Sequence, residues 1–155
     1  MRVRILAVGK ARPDWVREAS ASYLSRLKHY GRFELVEVRA SKIRNGHARD
    51  AAGKEGERLL AALEPRERLI ALDERGRAVS SEELARRLEE WQLEGRPVAL
   101  AIGGAQGLDR SVLDRSEARL SLSRLTLPHQ LARVVLAEQL YRACSMLRGE
   151  PYHNP

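Results

Sequence analysis

The strongest candidate for a ligand-binding segment is a cluster of three glycines that directly follows an apolar run. The run is Val98–Ile102, and Gly103, Gly104 and Gly107 come after it. Glycines in this position let the backbone approach a ligand closely and leave N–H groups as donors, although a tight turn without a ligand would need them too. The chain has neither a G-x-G-x-x-G fingerprint after its first strand nor a G-x-x-x-x-G-K-[ST] motif. Ordinary NAD binding and P-loop chemistry therefore do not fit.

A second candidate segment lies just before the last predicted helix. Residues Leu122–Leu127 alternate apolar and polar side chains and enter the helix through Pro128. Exposed backbone next to apolar side chains can hold an adenine through main-chain hydrogen bonds and a hydrophobic slot. The alternative interpretation is simply the end of the last strand and its turn.

Four residues near the C-terminus are candidates for the chemistry itself. Glu138 and Arg142 are four residues apart on the predicted last helix, so their side chains can pair, as an ordinary surface pair would. Tyr152 and His153 follow the end of that helix. They can fold over a site as a lid that supplies a stacking face and a proton-transfer group, unless they belong to a disordered end.

Alternating strands and helices must position these residues. Apolar runs and helical spacings predict an α/β fold with a parallel sheet and helices on both faces, formed by a single domain over residues 1–155. Ser80 and Glu83 predict a capping box, and Thr126 is a predicted cap of the last helix. The predicted strands are Arg2–Val8, Phe33–Val38, Leu69–Leu72, Val98–Ile102 and Arg119–Leu122. The predicted helices are one that begins near Pro13, one that ends near Leu63, one from Ser80 to Gly95, a short one after Gly107, and one from Pro128 to Arg148.

Three segments follow the carboxyl ends of neighbouring predicted strands. They are Leu72-Asp73, Gly103–Gly107 and Leu122–Leu127. Ligands of open parallel sheets bind outside the carboxyl ends of the strands. We therefore expect these segments to meet at one edge of the sheet and to form the ligand site there.

The composition narrows the class of protein. Of 155 residues, 43% are hydrophobic and 32% are charged, as in a soluble globular protein. No apolar run approaches the ~20 residues of a membrane helix, and no signal-peptide pattern is present, so we expect a cytoplasmic protein without a membrane association. One cysteine, Cys144, and four scattered histidines predict neither an internal disulfide nor a metal site.

The charge balance points to nucleic acid. Lys and Arg number 28 against 21 Asp and Glu, which gives a net charge of +7, and Arg dominates. The planar Arg fork suits phosphates, although a genome that prefers Arg codons would produce the same surplus. Candidates for contacts with a nucleic-acid backbone are Arg12, Lys42, Arg44 and Arg49.

The last predicted helix is apolar over much of its circumference. One broad side carries Val134, Ala137, Leu140, Tyr141, Cys144 and Leu147, and a narrow polar stripe carries Glu138, Arg142 and Ser145. A helix this apolar is either central to one core or shared with a second subunit. We expect a homodimer that buries part of it.

Several pieces of the sequence, taken together, resemble one family, the bacterial ribosomal RNA large subunit methyltransferase H family. The resemblance implies the SPOUT α/β fold with a trefoil knot in the C-terminal part of the chain. It further implies a homodimer that uses S-adenosylmethionine to methylate N3 of a pseudouridine in 23S ribosomal RNA, on the assembled ribosome. The pieces span nearly the whole chain: LAVGK and PDWV at the start, KEGE at Lys54–Glu57, LD at Leu72-Asp73, IGGAQG at Ile102–Gly107, LSRLTLPH at Leu122–His129, AEQLYRA at Ala137–Ala143 and PYH at Pro151–His153.

The resemblance also implies a cofactor site and leads to candidates for the catalytic roles. His153 and Tyr152 are candidates for handling the target base or its N3 proton, and Arg142, oriented by Glu138, for holding a carbonyl or a phosphate. Asn154-Pro155 stand where members often carry a basic residue. Two alternative functions are a non-catalytic RNA-binding or ribosome-associated module and a SPOUT methyltransferase that modifies tRNA. The implied contacts to S-adenosylmethionine are Leu72, Gly103, Leu122, Ser123, Arg124, Leu125, Thr126 and Leu127.

Overall fold

Five parallel strands form one sheet in the order β2-β1-β4-β3-β5, with helices on both faces, which confirms the predicted fold class. The computed structural model describes residues 1–43 and 46–154, so the predicted RNA contact Arg44 lies outside the described residues, as does Pro155. The strands are β1 (Arg2–Val8), β2 (Arg32–Val38), β3 (Arg68–Ala78), β4 (Val98–Ile102) and β5 (Ala118–Ser121). The helices are α1 (Asp14–Leu27), α2 (Ala48–Ala61), α3 (Ser81–Glu94), α4 (Arg110–Arg115) and α5 (His129–Leu147).

The sheet separates two apolar cores. Successive side chains of a strand point to opposite faces, so Val3 and Ile5 of β1 face one core, and Leu6 and Val8 face the other. Helices α1, α3 and α5 close the first core, and α2 and α4 close the second. The predicted capping box at the start of α3 is confirmed, because Ser80 and the Glu83 side chain bond each other's backbone amides.

The third strand is longer than predicted. It continues past Leu72 to Ala78, because residues 73–76 bulge out of the ladder and the chain then rejoins β5. Gly76 makes this possible, since a Cβ there would lie 2.7 Å from the backbone of Arg119. The bulge places the residues after Leu72 at the carboxyl edge of the sheet, where the strand was expected to end.

The predicted helix cap at Thr126 is wrong. The N-cap of α5 is Pro128, two residues later, and a side chain so far from the first helical turn cannot reach its amides. The Thr126 hydroxyl instead donates a hydrogen bond to Glu74 Oε2 over 3.1 Å. Thr126 therefore joins the segment before α5 to the bulge of β3.

Helix α5 packs against both α1 and α3, and its buried arc differs from the predicted one. Leu147 is exposed and Val134 is only half-buried, because the two flanking helices cover a different side. Ser145, assigned to a polar stripe, is fully buried and donates to the Arg142 carbonyl over 2.8 Å. The helix is thus central to one core, and the homodimer stays a prediction. Its buried arc comprises Arg133, Leu136, Ala137, Leu140, Ala143, Cys144 and Ser145.

The single cysteine belongs to the core, as predicted. Cys144 is buried, and burial raises the pKa of its thiol to about 12, so the reactive thiolate is scarce. Across residues 1–43 and 46–154, no helix is long and apolar enough to cross a membrane, and no group of three or more His, Cys, Asp or Glu side chains is arranged to hold a metal ion.

A buried ion pair ties β1 to the segment before β3. Arg4 Nε lies 2.8 Å from Glu67 Oε1, and Arg4 Nη2 lies 2.5 Å from Glu67 Oε2. Arg4 also donates to the Ala62 carbonyl, and the Glu64 amide donates to Glu67. Burial by itself would raise the pKa of Glu67, but the hydrogen bonds from Arg4 and the Glu64 amide hold it below its ordinary value.

We expect Glu67→Gln to lower the free energy of unfolding by about 3–5 kcal/mol, because it leaves the Arg4 charge buried without its carboxylate. In the native protein the lowered pKa means that the unfolded chain binds more protons. The stabilisation is therefore present above the unfolded pKa and is lost as the pH falls through the folded pKa. Urea unfolding at neutral and acidic pH measures both effects.

The control for this prediction is the double variant Arg4→Met/Glu67→Leu, which removes both charges and keeps the apolar volume. Its free energy of unfolding should fall less than that of Glu67→Gln and should change less as the pH is lowered. A Glu67→Gln protein as stable as the native one would contradict the assignment.

Candidate active site

The three segments predicted to meet do meet, at the carboxyl edge of the sheet, where they enclose a cavity of about 820 Å³. Small-molecule sites typically have volumes of ~300–1,000 Å³. Seven of the eight residues implied to bind the cofactor line this cavity, and Arg124, whose side chain is exposed, does not. The cavity is lined by Leu72–Arg75, Ile102–Leu108, Leu113, Ser121–Ser123, Leu125–His129 and Ala132.

The glycine turn, Gly103–Gly107, forms one wall of the cavity. Gly104 and Gly107 pair as an antiparallel bridge, in which the Gly107 amide donates to the Gly104 carbonyl over 3.0 Å. A Cβ on Gly103 would lie 2.5 Å from Gly107 O and 2.7 Å from the Leu108 amide nitrogen. The turn's own backbone therefore excludes a side chain at Gly103, as the alternative interpretation of the glycines expected, and the contact of Gly103 with the cofactor stays a prediction.

The 122–127 loop forms the facing wall. Ser121 Oγ donates to the Ser123 carbonyl over 2.7 Å, and the Leu125 amide donates to Ser123 Oγ over 2.9 Å. Among the described residues, the amides of Thr126 and Leu127 find no acceptor. The loop therefore presents unpaired backbone donors beside apolar side chains, the combination expected of this segment from the sequence.

Several polar residues of the cavity, among them Asp73, Glu74 and His129, are not among the cofactor contacts that the resemblance implies, although Asp73 belongs to a segment predicted to meet there. Asp73 and Glu74 lie on the bulge of β3, and His129 is the first residue of α5. Burial lowers the pKa of His129, and the nearby Arg133 charge lowers it further, so the imidazole is neutral at neutral pH. Asp73 and Glu74 directly follow the predicted end of the third strand, and this position could have marked both as contacts of the site.

A buried arginine holds α5 against the sheet beside the cavity. Arg133 Nη2 donates to the Val8 carbonyl over 3.1 Å, and Arg133 Nη1 donates to Glu37 Oε1 over 3.1 Å. Both nitrogens also reach the Gly9 carbonyl at 3.3 Å. Burial lowers the pKa of the Arg133 guanidinium, and the Glu37 carboxylate opposes that shift. These bonds fix the first turn of α5, and with it the His129 side of the cavity.

The four predicted catalytic residues form one group, the tail cluster. Arg142 Nε and Nη2 lie 3.0 and 2.7 Å from Glu138 Oε1, so the predicted pair is present. The Tyr152 hydroxyl donates to the same Glu138 oxygen over 3.1 Å. The His153 ring lies between Arg142 Nη1, 3.4 Å from Nδ1, and Glu82 Oε1, 3.0 Å from Nε2.

The tail cluster does not lie at the cavity of its own chain. None of the four residues lines it, and Arg142 lies ten residues after Ala132 on α5, which is about 15 Å along the helix. The Tyr152 ring packs edge-on against Tyr141 and beneath the Arg142 guanidinium. Burial raises the pKa of Tyr152, and its neighbours Tyr23 and Glu138 raise it further, so the phenol stays protonated.

A family model described as a predicted SPOUT methyltransferase matches residues 1–153. The chain belongs to the SPOUT methyltransferase family. The same fold is present in a solved structure described as a probable methyltransferase from Bordetella pertussis Tohama I, with a TM-score of 0.59, 21% identity, and coverage of 92% of this chain and 94% of that one. The trefoil knot that the resemblance implies stays a prediction.

Three relatives named ribosomal RNA large subunit methyltransferase H resemble this SPOUT methyltransferase over its full length. The relative from Anaeromyxobacter sp. (strain Fw109-5) is 54% identical over 154 residues, and that from Chromohalobacter salexigens is 47% identical over 155 residues. The relative from Pseudomonas aeruginosa (strain LESB58) is 45% identical over 155 residues. Each match covers 99% of this chain and 100% of the relative. The family resemblance seen in the sequence is thereby confirmed.

Three of the four basic residues predicted to contact RNA lie within the described ranges, and all three are exposed in this SPOUT methyltransferase. Arg12, Lys42 and Arg49 take part in no ion pair within the described ranges. The segment before Lys42 is held by the Ser41 amide, which donates to Glu55 Oε1 over 2.9 Å. Their charges are therefore available to a partner.

We expect Gly103→Ala to destabilise the protein by at least ~1–3 kcal/mol, because its methyl group would overlap the Gly107 backbone. The matched control is Gly107→Asn in the same turn. Gly107 has φ +75° and open space around its Cβ position, and Asn tolerates left-handed backbone, so this variant should lose only ~1 kcal/mol. Urea unfolding compares the two variants, and equal losses would contradict the role of Gly103.

Proposed function

We propose that this SPOUT methyltransferase transfers the methyl group of S-adenosylmethionine to N3 of a pseudouridine in 23S ribosomal RNA, on the assembled ribosome in the cytoplasm. The observation that carries the proposal is the full-length similarity to relatives named ribosomal RNA large subunit methyltransferase H. The cavity at the carboxyl edge and the net charge of +7 support it. A module that only bound RNA would have no use for such a cavity.

The residues of the cavity fit S-adenosylmethionine. Leu72 and Leu127 supply apolar surface for the adenine, and the free amides of Thr126 and Leu127 supply donors for its ring nitrogens. The carboxylates of Asp73 and Glu74 suit hydroxyl groups and positive charge, and this ligand carries both. When bound, the group supplies an electrophilic methyl on a sulfonium.

The protein must position the target base and accept its N3 proton. An aligned approach within ~3–3.5 Å accounts for much of the acceleration in such transfers. The protonated Tyr152 can donate to or stack on the base, and His153 can accept a proton, a role worth ~10²–10⁴-fold in rate. Arg142 is held in one orientation by two bonds to Glu138, so its fork can hold a carbonyl or a phosphate.

In a homodimer, the tail cluster of one chain lies at the cavity of the other. Within one chain they are separated along α5, but in a dimer with a two-fold axis each chain's tail can meet the other chain's cavity. The half-buried side chains of Leu131, Val134 and Val135 on α5 supply apolar surface for the contact. The site is then complete only between two subunits.

The function is tested by methyl transfer to ribosomes from cells that lack this modification. The expected product is 23S RNA with one methyl group at N3 of a pseudouridine, located by mass spectrometry of nuclease fragments. His153→Gln should keep its melting temperature and its calorimetric affinity for S-adenosylmethionine, but lose at least ~10²-fold in rate. Methylation of tRNA in place of 23S RNA would support the alternative enzyme, and binding of RNA without any transfer would support the non-catalytic module.

Mixed dimers test whether the site is shared between subunits. We expect His153→Gln and Leu127→Glu, which places a carboxylate in the apolar slot, each to be inactive alone. Co-expressed, they should regain about a quarter of the native activity, because half of the dimers are mixed and each of these has one intact cavity facing one intact tail. If each chain used its own tail, mixed dimers would stay inactive, and a parallel mixture of native and Leu127→Glu chains controls for exchange of subunits.

A further inference from the structure

A second, smaller cleft adjoins the cavity and carries three arginines. Its volume is about 350 Å³. Asp73, Arg75 and Leu113 belong to both depressions, so the two are continuous. The remaining residues of this arginine cleft are Arg110, Asp114 and Arg119.

The positive charges of the arginine cleft are only partly neutralised. Arg110 and Arg119 share one carboxylate, Asp114, and each approaches it only to 3.3 Å. Within the described residues, Arg75 has no carboxylate partner, and its amide already uses Asp73 Oδ1. Like charges held together repel, so the arrangement favours an additional anion.

The chemistry and position of the cleft suit a phosphodiester. Guanidinium groups bind phosphate oxygens with two parallel hydrogen bonds, which makes Arg the side chain that best matches this group. The cleft opens beside the cavity, where the base that receives the methyl group must enter. A phosphate of the same RNA strand then has to lie nearby, because every nucleotide carries one.

We propose that the arginine cleft binds a backbone phosphate of the RNA next to the nucleotide that is methylated. In the free protein Asp114 occupies the guanidinium groups of Arg110 and Arg119, and the RNA phosphate takes over these bonds. Arg75, at the junction of the two depressions, ties the phosphate contact to the cavity. This inference rests on the proposed function and adds a substrate contact to it.

The test is steady-state methyl transfer to ribosomes that lack the modification by Arg110→Gln/Arg119→Gln, with Arg115→Gln as the matched control. Arg115 is exposed on the same short helix but does not line the cleft. The double variant should show about a tenfold higher KM for RNA with kcat and affinity for S-adenosylmethionine unchanged. The slope of log affinity against log salt concentration should become shallower by about 0.7–0.9 for the lost phosphate.

A second variant acts in the opposite direction. Asp114→Asn removes the carboxylate that competes with the phosphate, so it should lower the KM for RNA. A gain of this kind cannot come from a damaged fold, and Glu90→Gln, which removes an exposed carboxylate that lines neither depression, controls for the change in net charge. An equal fall in KM for Glu90→Gln would overturn the phosphate contact.

The outcomes separate this inference from the proposed function. If the native protein transfers no methyl group to 23S RNA, the proposed function fails. If the native protein is active but the arginine variants match Arg115→Gln in KM and salt dependence, the phosphate contact is overturned. An unchanged or raised KM for Asp114→Asn overturns it equally.

Discussion

The buried guanidinium of Arg133 is the contact on which the carboxyl edge of the sheet depends. A buried charge is costly unless it is hydrogen-bonded, and Arg133 uses Nη1 and Nη2 to bind the Val8 and Gly9 carbonyls at the end of β1 and Glu37 of β2, while its Nε has no partner among the described residues. Moving the first turn of α5 would break these bonds and leave the charge unpaired. His129 and Ala132, which precede Arg133 on the same helix by four residues and by one, are therefore held where they line the cavity. One side chain thus sets the distance between a helix and two strands.

Two irregularities of the backbone make room for the cavity within an otherwise regular sheet. One is the bulge after Leu72, and the other is the glycine turn after Ile102. Each needs a glycine because neighbouring backbone leaves no room for a Cβ: the backbone of Arg119 at Gly76, and that of Gly107 at Gly103. The cavity is thus enclosed by turns that are tight because of their own backbone contacts, and these turns present carboxylates and apolar side chains to it.

The arginines of this chain differ in how fully carboxylates neutralise them, and at the carboxyl edge both kinds occur, since Arg133 is paired with Glu37. At the amino edge they are paired with glutamates, as in the Arg4–Glu67 and Arg68–Glu117 ion pairs. At the carboxyl edge Arg75 has no such partner in the described part of the chain, and Arg110 and Arg119 share one. The guanidinium groups of these three arginines are thereby available beside the cavity, where they can attract an anionic polymer.

The sequence by itself determined the order of strands and helices, the Ser80 capping box and the meeting of three segments at one edge. The order of elements follows from the spacing at which apolar side chains recur along the chain. The meeting of the three segments follows from chain direction, because the carboxyl ends of parallel strands lie at the same edge of the sheet. Only the tertiary structure decided what depends on neighbours distant in the chain. The bulge after Leu72 needs the backbone of β5, the buried arc of α5 is chosen by α1 and α3, and Gly103 is constrained by Gly107 folding back on it. The tail cluster was recognised as four residues, but its separation from the cavity arises from the length of α5, which no local pattern places relative to a site.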